Sequence, residues 1–376
     1  MTALMHSFIP AILVLAILAT GCTSLPRAPV AALGPAVIPD ISKARLTSRE
    51  IDRLFRGGRS RAPLTILALS GGGADGSYGA GFLAGWTRSG QRPEFDVVTG
   101  SSVGALIAPF AYLGPRYDPI LKQMFTTGMT DNLLRIAGLD AIVGSSVYAS
   151  SPLRDLIARF ADESLVEAVA ARHREGKLLI IATTDVDRQS TTLWNMGEIA
   201  ASTSPGRVEL FRDVLAASAA LPGIFPPVLI KVRNGNDTYV EMHVDGGVTS
   251  NVIPVPEALL VSSDRAAKSR LFVIINGKLS SAPAHTPDYA LPIVVRSFQT
   301  AVKANTRSTM IATYDFCRRN GWEFHATAID ARLPTPTAVA TFDRNYMQAL
   351  YEFGEAKGAT GRGFERSLEN RALFGL

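Results

Sequence analysis

The sequence predicts an α/β fold: a mostly parallel, doubly wound sheet flanked by helices, with a helical C-terminal extension. Three observations carry this. Continuous apolar runs at Leu64–Leu69, Lys177–Thr183 and Arg270–Asn276 lack the alternation of a half-exposed strand and fit strands buried on both faces. Helical patterns separate these runs, and strands alternating with helices favour parallel pairing through crossover connections. Finally, Gly100-Ser101-Ser102-Val103-Gly104 lies between a strand-like stretch, Asp96–Thr99, and an apolar helix-like stretch over 103–113.

Along the chain, the first twenty-one residues hold no Lys, Arg, Asp or Glu, and Ile9–Leu18 is apolar except for Pro10. That run is too short to span a bilayer comfortably and fits the core of a signal peptide over residues 1–21. Small residues before Cys22 resemble a lipobox, which would make Cys22 the lipidated mature N-terminus of a protein of the bacterial cell envelope, on the outer membrane or in the periplasm. An ordinary cleaved signal peptide is the alternative. Residues 22–60 read as a lipid-anchored tether, with Pro26, Pro29, Pro35 and Pro39, followed by a short helix. A capping box from Thr47 to Glu50 opens that helix, and Gly57-Gly58 closes it.

The body spans residues 61–279. Its first strand leads through a glycine-rich turn into a small-residue helix over 76–88, and a further helix covers 211–220. Residues 224–231 and 238–245 pair as a hairpin around Asn234-Gly235. Beyond it, residues 280–376 read as a mostly helical extension: a linker over 280–288, helices near 291–320, 342–357 and 363–372, and a strand at 323–329. The net charge of +5 is spread out, with no basic run or aromatic-basic alternation to suggest nucleic acid. Cys317, in a helical pattern, is the only cysteine left after Cys22, so no internal disulfide is expected and Cys317 is given no role.

The pentapeptide around Ser102 has the form of a nucleophile elbow, in which glycines two residues either side allow a sharp strand-to-helix turn. A decoy, Gly144-Ser145-Ser146-Val147, fails because Tyr148 stands where the second glycine belongs. The loop Ser70-Gly71-Gly72-Gly73-Ala74-Asp75-Gly76 admits two readings. Gly71, Gly73 and Gly76 spell a dinucleotide fingerprint, but that needs an acid ending the second strand, and Asp96 begins it. The other reading is an oxyanion hole, with the amides of Gly71, Gly72 and Gly73 directed at a developing negative charge beside a helix N-terminus.

A serine nucleophile needs a base. His173 lies in a charged stretch and His285 in the linker, both read as solvated; His325 is in a strand, and His243 shares a strand face with Asp245. None carries a turn signature. Asp245-Gly246-Gly247 does: it ends an alternating strand with a carboxylate at a tight turn, where an apolar pocket would raise its proton affinity.

Together these residues resemble the patatin-like phospholipases. The resemblance runs in order through the glycine loop, the Ser102 elbow, the block Ala217–Pro227 and Asp245-Gly246-Gly247. It implies a Ser–Asp dyad without histidine: Ser102 as nucleophile, Asp245 as base, Gly71–Gly73 as oxyanion donors, and no metal or cofactor. It further implies hydrolysis of acyl esters of membrane lipids through an acyl-serine. Asn251 and Pro254 resemble the family's Asn-x-Pro with one residue more between them. Asp75 departs from the family, which has Arg or Lys there. On that acid rests the alternative of a non-catalytic lipid-binding or envelope-assembly protein. A histidine-dependent serine hydrolase is the other competitor.

Overall fold

A computed structural model of the chain describes residues 25–27, 36–47, 49–51, 63–130, 133, 151–256, 260, 268–330, 333 and 342–370. The signal peptide, Cys22, the Gly57-Gly58 stop and the decoy at 144–148 lie outside the described residues. In chain order the elements are β1 (Thr65–Leu69), α1 (Gly76–Arg88), β2 (Val97–Ser101), α2 (Val103–Leu113), α3 (Asp118–Thr126), α4 (Ser151–Phe160) and α5 (Glu163–Arg174). They continue with β3 (Leu178–Asp185), β4 (Ser190–Asn195), α6 (Met196–Ala201), α7 (Arg207–Ser218), β5 (Val228–Asn234) and β6 (Asp237–Asp245). The described chain closes with β7 (Arg270–Ile275), α8 (Ala290–Asn320), β8 (Glu323–Ala328) and α9 (Arg344–Ala359).

One mixed, mostly parallel sheet of eight strands organises the molecule. β3, β2, β1, β7 and β8 run parallel as successive neighbours, and β4, β5 and β6 are antiparallel additions. Its apolar strands are buried on both faces, as their unbroken patterns require. Leu67, Leu69, Ile181 and Ile274 join one core with residues of α1, α2 and α5. Ile66, Ala68, Ile180 and Val273 join a second core with Met310, Phe316 and Cys317 of α8. From β1 the chain builds outward to β2 and β3 on one side and later to β7 and β8 on the other. The crevice at such a reversal, beyond the carboxyl ends of the strands, is where open α/β sheets take ligands.

The capping box forms as expected, the Thr47 amide donating to Glu50 Oε2 at 2.8 Å and the Glu50 amide to Thr47 Oγ1 at 3.3 Å. The hairpin forms too, its two-residue loop being Gly235-Asn236 with Gly235 at φ 61°. Two expectations are corrected. Residues 36–46, read as tether, pack on the body: Ile38, Ile41 and Ala44 are buried, and Val37 exchanges backbone hydrogen bonds with Arg233. Their apolar side chains find a partner surface that composition alone could not supply.

The helix expected near 363–372 is absent over its described part, 363–370, where Glu365 instead bridges Ala326 on β8 through two 2.8 Å backbone hydrogen bonds. Phe364 packs into the first core and Leu368 into the second. Residues spaced by four share one face of a helix, so a helix could not serve both cores. The rest of the C-terminal segment is built into the body. β8 extends the sheet, and α9 lies backbone to backbone against α1, where a Cβ on Gly81 would sit 2.0 Å from the Tyr351 carbonyl oxygen.

Candidate active site

Sheet register brings Ser102 and Asp245 together across 143 residues of sequence. β4 pairs with one edge of β3 from Ile180 to Asp185. The other edge is shared: β2 pairs up to Ser101 opposite Ala182, and β6 takes over with Asp245 opposite Thr183. The end of β2 and the end of β6 therefore meet at consecutive residues of one strand. Ser102 follows directly, at φ 53° and ψ −128°, a conformation that costs a non-glycine residue of order 1–3 kcal/mol. The flanking glycines make the turn possible, since a Cβ on Gly104 would lie 2.4 Å from the Leu69 carbonyl oxygen and one on Gly100 2.5 Å from that of Gly104. The sequence reading of an elbow holds as geometry.

Ser102 Oγ donates to Asp245 Oδ2 at 2.6 Å, and the Gly247 amide donates to Asp245 Oδ1 at 2.7 Å. Asp245 is 3% exposed, and burial pushes its carboxyl up to about 6 against the pull of both hydrogen bonds. The block 217–227 proves to be the brace of this pair. Ser218 Oγ accepts from the Ser102 amide at 3.0 Å and donates to the Ala182 carbonyl at 2.7 Å, while the Asp245 amide donates to the Ala220 carbonyl at 2.9 Å. The sequence flagged that block but gave Ser218 no role; its signal was the single hydroxyl in a block otherwise made of apolar residues and glycine.

The glycine loop follows β1 and faces the same cavity. One expected donor is corrected: the Gly71 amide is spent on the Asn251 carbonyl at 3.0 Å, a bond that anchors the loop to the segment after the Asp245-Gly246-Gly247 turn. Among the described residues no acceptor takes the amides of Gly72 and Gly73, which remain available. Gly72 is required by close approach, a Cβ there falling 1.7 Å from the Asn276 carbonyl oxygen. Asn251 also donates through Nδ2 to Thr306 on α8 at 3.0 Å, and Pro254 lies on the segment that follows.

Asp75, the family departure, does not confront the site unpaired. It accepts from Tyr346 Oη of α9 at 2.6 Å, and Lys278 and Lys303 add favourable charge. Burial still pushes its carboxyl up to about 6. That pairing removes the main sequence argument for a non-catalytic chain.

Among the described residues no histidine hydrogen-bonds Ser102 or the Asp245 carboxylate. His243 is fully buried, its ring nitrogens bonded to Thr183 Oγ1 at 2.9 Å and Glu241 Oε2 at 3.3 Å. His325 stacks on Phe272 with ring centroids 4.6 Å apart. His173, read as solvated, is half-buried and contacts the Lys177 carbonyl at 3.2 Å; the ring fills space left beside Gly197. His285 is exposed, at the rim of the cavity. Asp185, Glu241 and His243 hold potential ligand atoms within 4.8 Å of one another. Two guanidinium groups already serve that set, however: Arg188 bonds Asp185 and Glu241, and Arg45 bonds Glu241, so the donors do not suit a cation.

The cavity measures about 320 Å³ and collects Ser102, Asp245 and the glycine loop beneath apolar walls that include Leu106, Phe125 and Phe225. No curated protein matches the chain. Among solved structures, VipD from Legionella pneumophila is 13% identical, with 92% of this chain and 72% of that one covered and a TM-score of 0.41. The type III effector protein ExoU is 15% identical, with 81% of this chain and 54% of that one covered and a TM-score of 0.30. A match to the family described as patatin-like phospholipase extends over residues 67–259, just over half the chain and the stretch that holds the elbow, the brace and the Asp-Gly-Gly turn. The chain belongs to the patatin-like phospholipase family.

Proposed function

We propose that this chain is a serine acyl hydrolase acting on carboxylic esters of lipids through a Ser102–Asp245 dyad. Family membership supports lipid acyl hydrolysis in general. The observation that carries the finer reading is the 2.6 Å hydrogen bond from Ser102 Oγ to a buried carboxylate, inside a cavity with apolar walls.

The chemistry follows from that arrangement. Asp245 accepts the hydroxyl proton as Ser102 Oγ attacks the ester carbonyl, and a carboxyl near 6 is ionised at neutral pH yet basic enough to hold that proton. The amides of Gly72 and Gly73 donate to the carbonyl oxygen as it becomes negative, each worth about 3 kcal/mol in the transition state. Collapse breaks the ester bond, and Asp245 returns the proton to the departing alcohol oxygen, leaving an acyl-serine. Water then attacks that ester; Asp245 takes its proton, and the fatty acid leaves as Ser102 regains its own. At the N-terminus, the apolar run and Cys22 support anchoring in the bacterial envelope, within reach of membrane lipid.

Hydrolysis of a chromogenic short-chain ester and of a phospholipid by the parent, Ser102→Ala and Asp245→Asn proteins tests the reading. Turnover should fall about a thousandfold or more in each variant with circular dichroism unchanged. Activity that survives Asp245→Asn but not substitution of His243 or His325 would overturn the dyad in favour of a histidine base.

A further inference from the structure

The cavity that holds the dyad also gathers cations, and they come from outside the stretch that defines the family. Lys278, Arg296 and Lys303 all line the cavity that holds Ser102, and all lie beyond residue 259, where the family match ends. Two elements place them. Asn276, at the end of β7, donates through its amide to Ser70 Oγ at 2.8 Å and through Nδ2 to the Ser70 carbonyl at 2.7 Å, fixing the strand exit beside the glycine loop. Lys278 follows two residues later. On α8, Arg296 and Lys303 are seven residues apart and so share a face. One turn beyond Lys303 is Thr306, which bonds Asn251 against the glycine loop.

These cations are crowded. The Lys303 ammonium is pushed down from the usual lysine range by burial, and further by Arg296, Lys278 and Arg307, with only Asp75 opposing. Among the described residues neither Arg296 nor Lys303 forms an ion pair with a carboxylate. Arg296 Nη2 donates to the Ala282 carbonyl at 2.6 Å and Lys303 Nζ to the Ser280 carbonyl at 2.8 Å, contacts that aim the side chains and leave further donors on each. Like charges gathered in a partly buried cavity repel one another, and an anion placed among them relieves that repulsion.

We infer that Arg296 and Lys303 form a subsite for an anionic, phosphate-type group of the ligand, beside Lys278, which already donates to the Leu333 carbonyl, so that the cavity selects esters whose alcohol half carries uncompensated negative charge. The selection of esters rests on the acyl-hydrolase reading; the anion subsite itself does not. Asp75 offsets the charge of the subsite only in part, since its carboxylate bonds Tyr346 rather than Arg296 or Lys303. The group bound could belong to a lipid head group or to free phosphate, which present the same oxygens.

The test uses the full chain and two diacyl substrates with identical acyl groups in neutral detergent micelles, phosphatidylglycerol and diacylglycerol. The parent should prefer the anionic ester in kcat/KM by about tenfold or more, the worth of a charge-assisted hydrogen bond. Lys303→Gln and Arg296→Gln should each reduce that ratio toward one, mainly through KM. Arg319→Gln, which removes an exposed ion pair with Asp315 near the far end of α8, should keep the parental ratio. A parental ratio near one, or an equal loss in Arg319→Gln, overturns the subsite.

Calorimetry on Ser102→Ala protein with a short-chain lysophosphatidylglycerol below its micellar concentration, with inorganic phosphate as competitor, supplies a readout independent of turnover. Displacement by phosphate assigns the subsite to free phosphate, and binding that resists it assigns the subsite to the lipid head group; failure of both to bind overturns it. If no ester is hydrolysed by the parent but Ser102→Ala binds the anionic amphiphile and adding Lys303→Gln abolishes binding, the subsite stands and the hydrolase reading falls.

Discussion

The two walls of the cavity are built on different principles. The wall holding Ser102 and Asp245 is made by backbone: a strained elbow, a glycine loop and two strand ends meeting on β3. The wall holding Lys278, Arg296, Lys303 and Tyr346 is made by side chains carried on a strand exit and two helices of the C-terminal segment. Backbone geometry tolerates few sequences, so the first wall leaves a motif. Side chains reach a shared cavity from many scaffolds, so the second leaves none.

The sharpest way to break this contrast is Gly104→Ala. Its methyl group would meet the carbonyl oxygens of Leu69 and Ser70 at 2.4 and 2.6 Å, and backbone cannot rotate aside as a side chain can. Overpacking of this kind costs about 1–3 kcal/mol or more, and α2 must shift away from β1, carrying Ser102 with it. Turnover should be abolished and the melting temperature lowered; wild-type activity would show that the elbow is less constrained than its contacts require.

Asp245 gives the next largest effect, with a sign that separates function from stability. Its carboxyl is raised from 3.8 to about 6 in the folded chain, so the protonated form is favoured by folding. That contribution is complete below 3.8 and is lost as pH rises through 6. At pH 8 the ionised carboxylate therefore opposes folding by up to about 3 kcal/mol. Asp245→Asn should raise the melting temperature at pH 8 and change it little at pH 4, while abolishing turnover. For the parent enzyme, kcat/KM should fall with acid along a limb centred near pH 6 as the base is protonated. A limb centred near 4 would mean that the carboxylate is solvated rather than buried.

Ser218→Ala is a milder test of the brace. It leaves the Ser102 amide without its acceptor and should cost about 1–3 kcal/mol in stability, with turnover reduced about tenfold as the elbow loosens. Urea denaturation and single-substrate kinetics measure the two together. The smallest effect should come from the second wall. Tyr346→Phe removes the hydrogen bond to Asp75, whose carboxyl then rises further above 6, and stability should drop by about 1 kcal/mol with turnover at pH 8 changed less than about threefold. A loss as large as that of Ser218→Ala would place Tyr346 among the groups that shape the glycine loop.

By itself the sequence determined the parallel strands, the turn at Ser102, the glycine loop and the Asp245 turn, because each depends on local chemistry. Unbroken apolar runs need burial on both faces, and tight turns need glycine. What it could not determine were events between distant residues. Gly71 was one of three equivalent glycines until the Asn251 carbonyl took its amide. Phe364 and Leu368 had helical spacing until the two cores drew them to opposite sides of the sheet. Asp75 stood as an unpaired acid until α9 packed against α1 and delivered Tyr346. The cations of the second wall had no pattern until α8 and β7 faced the same cavity. Local stereochemistry is written in neighbouring residues, whereas the pairing of remote groups depends on which surfaces the folded chain brings into contact.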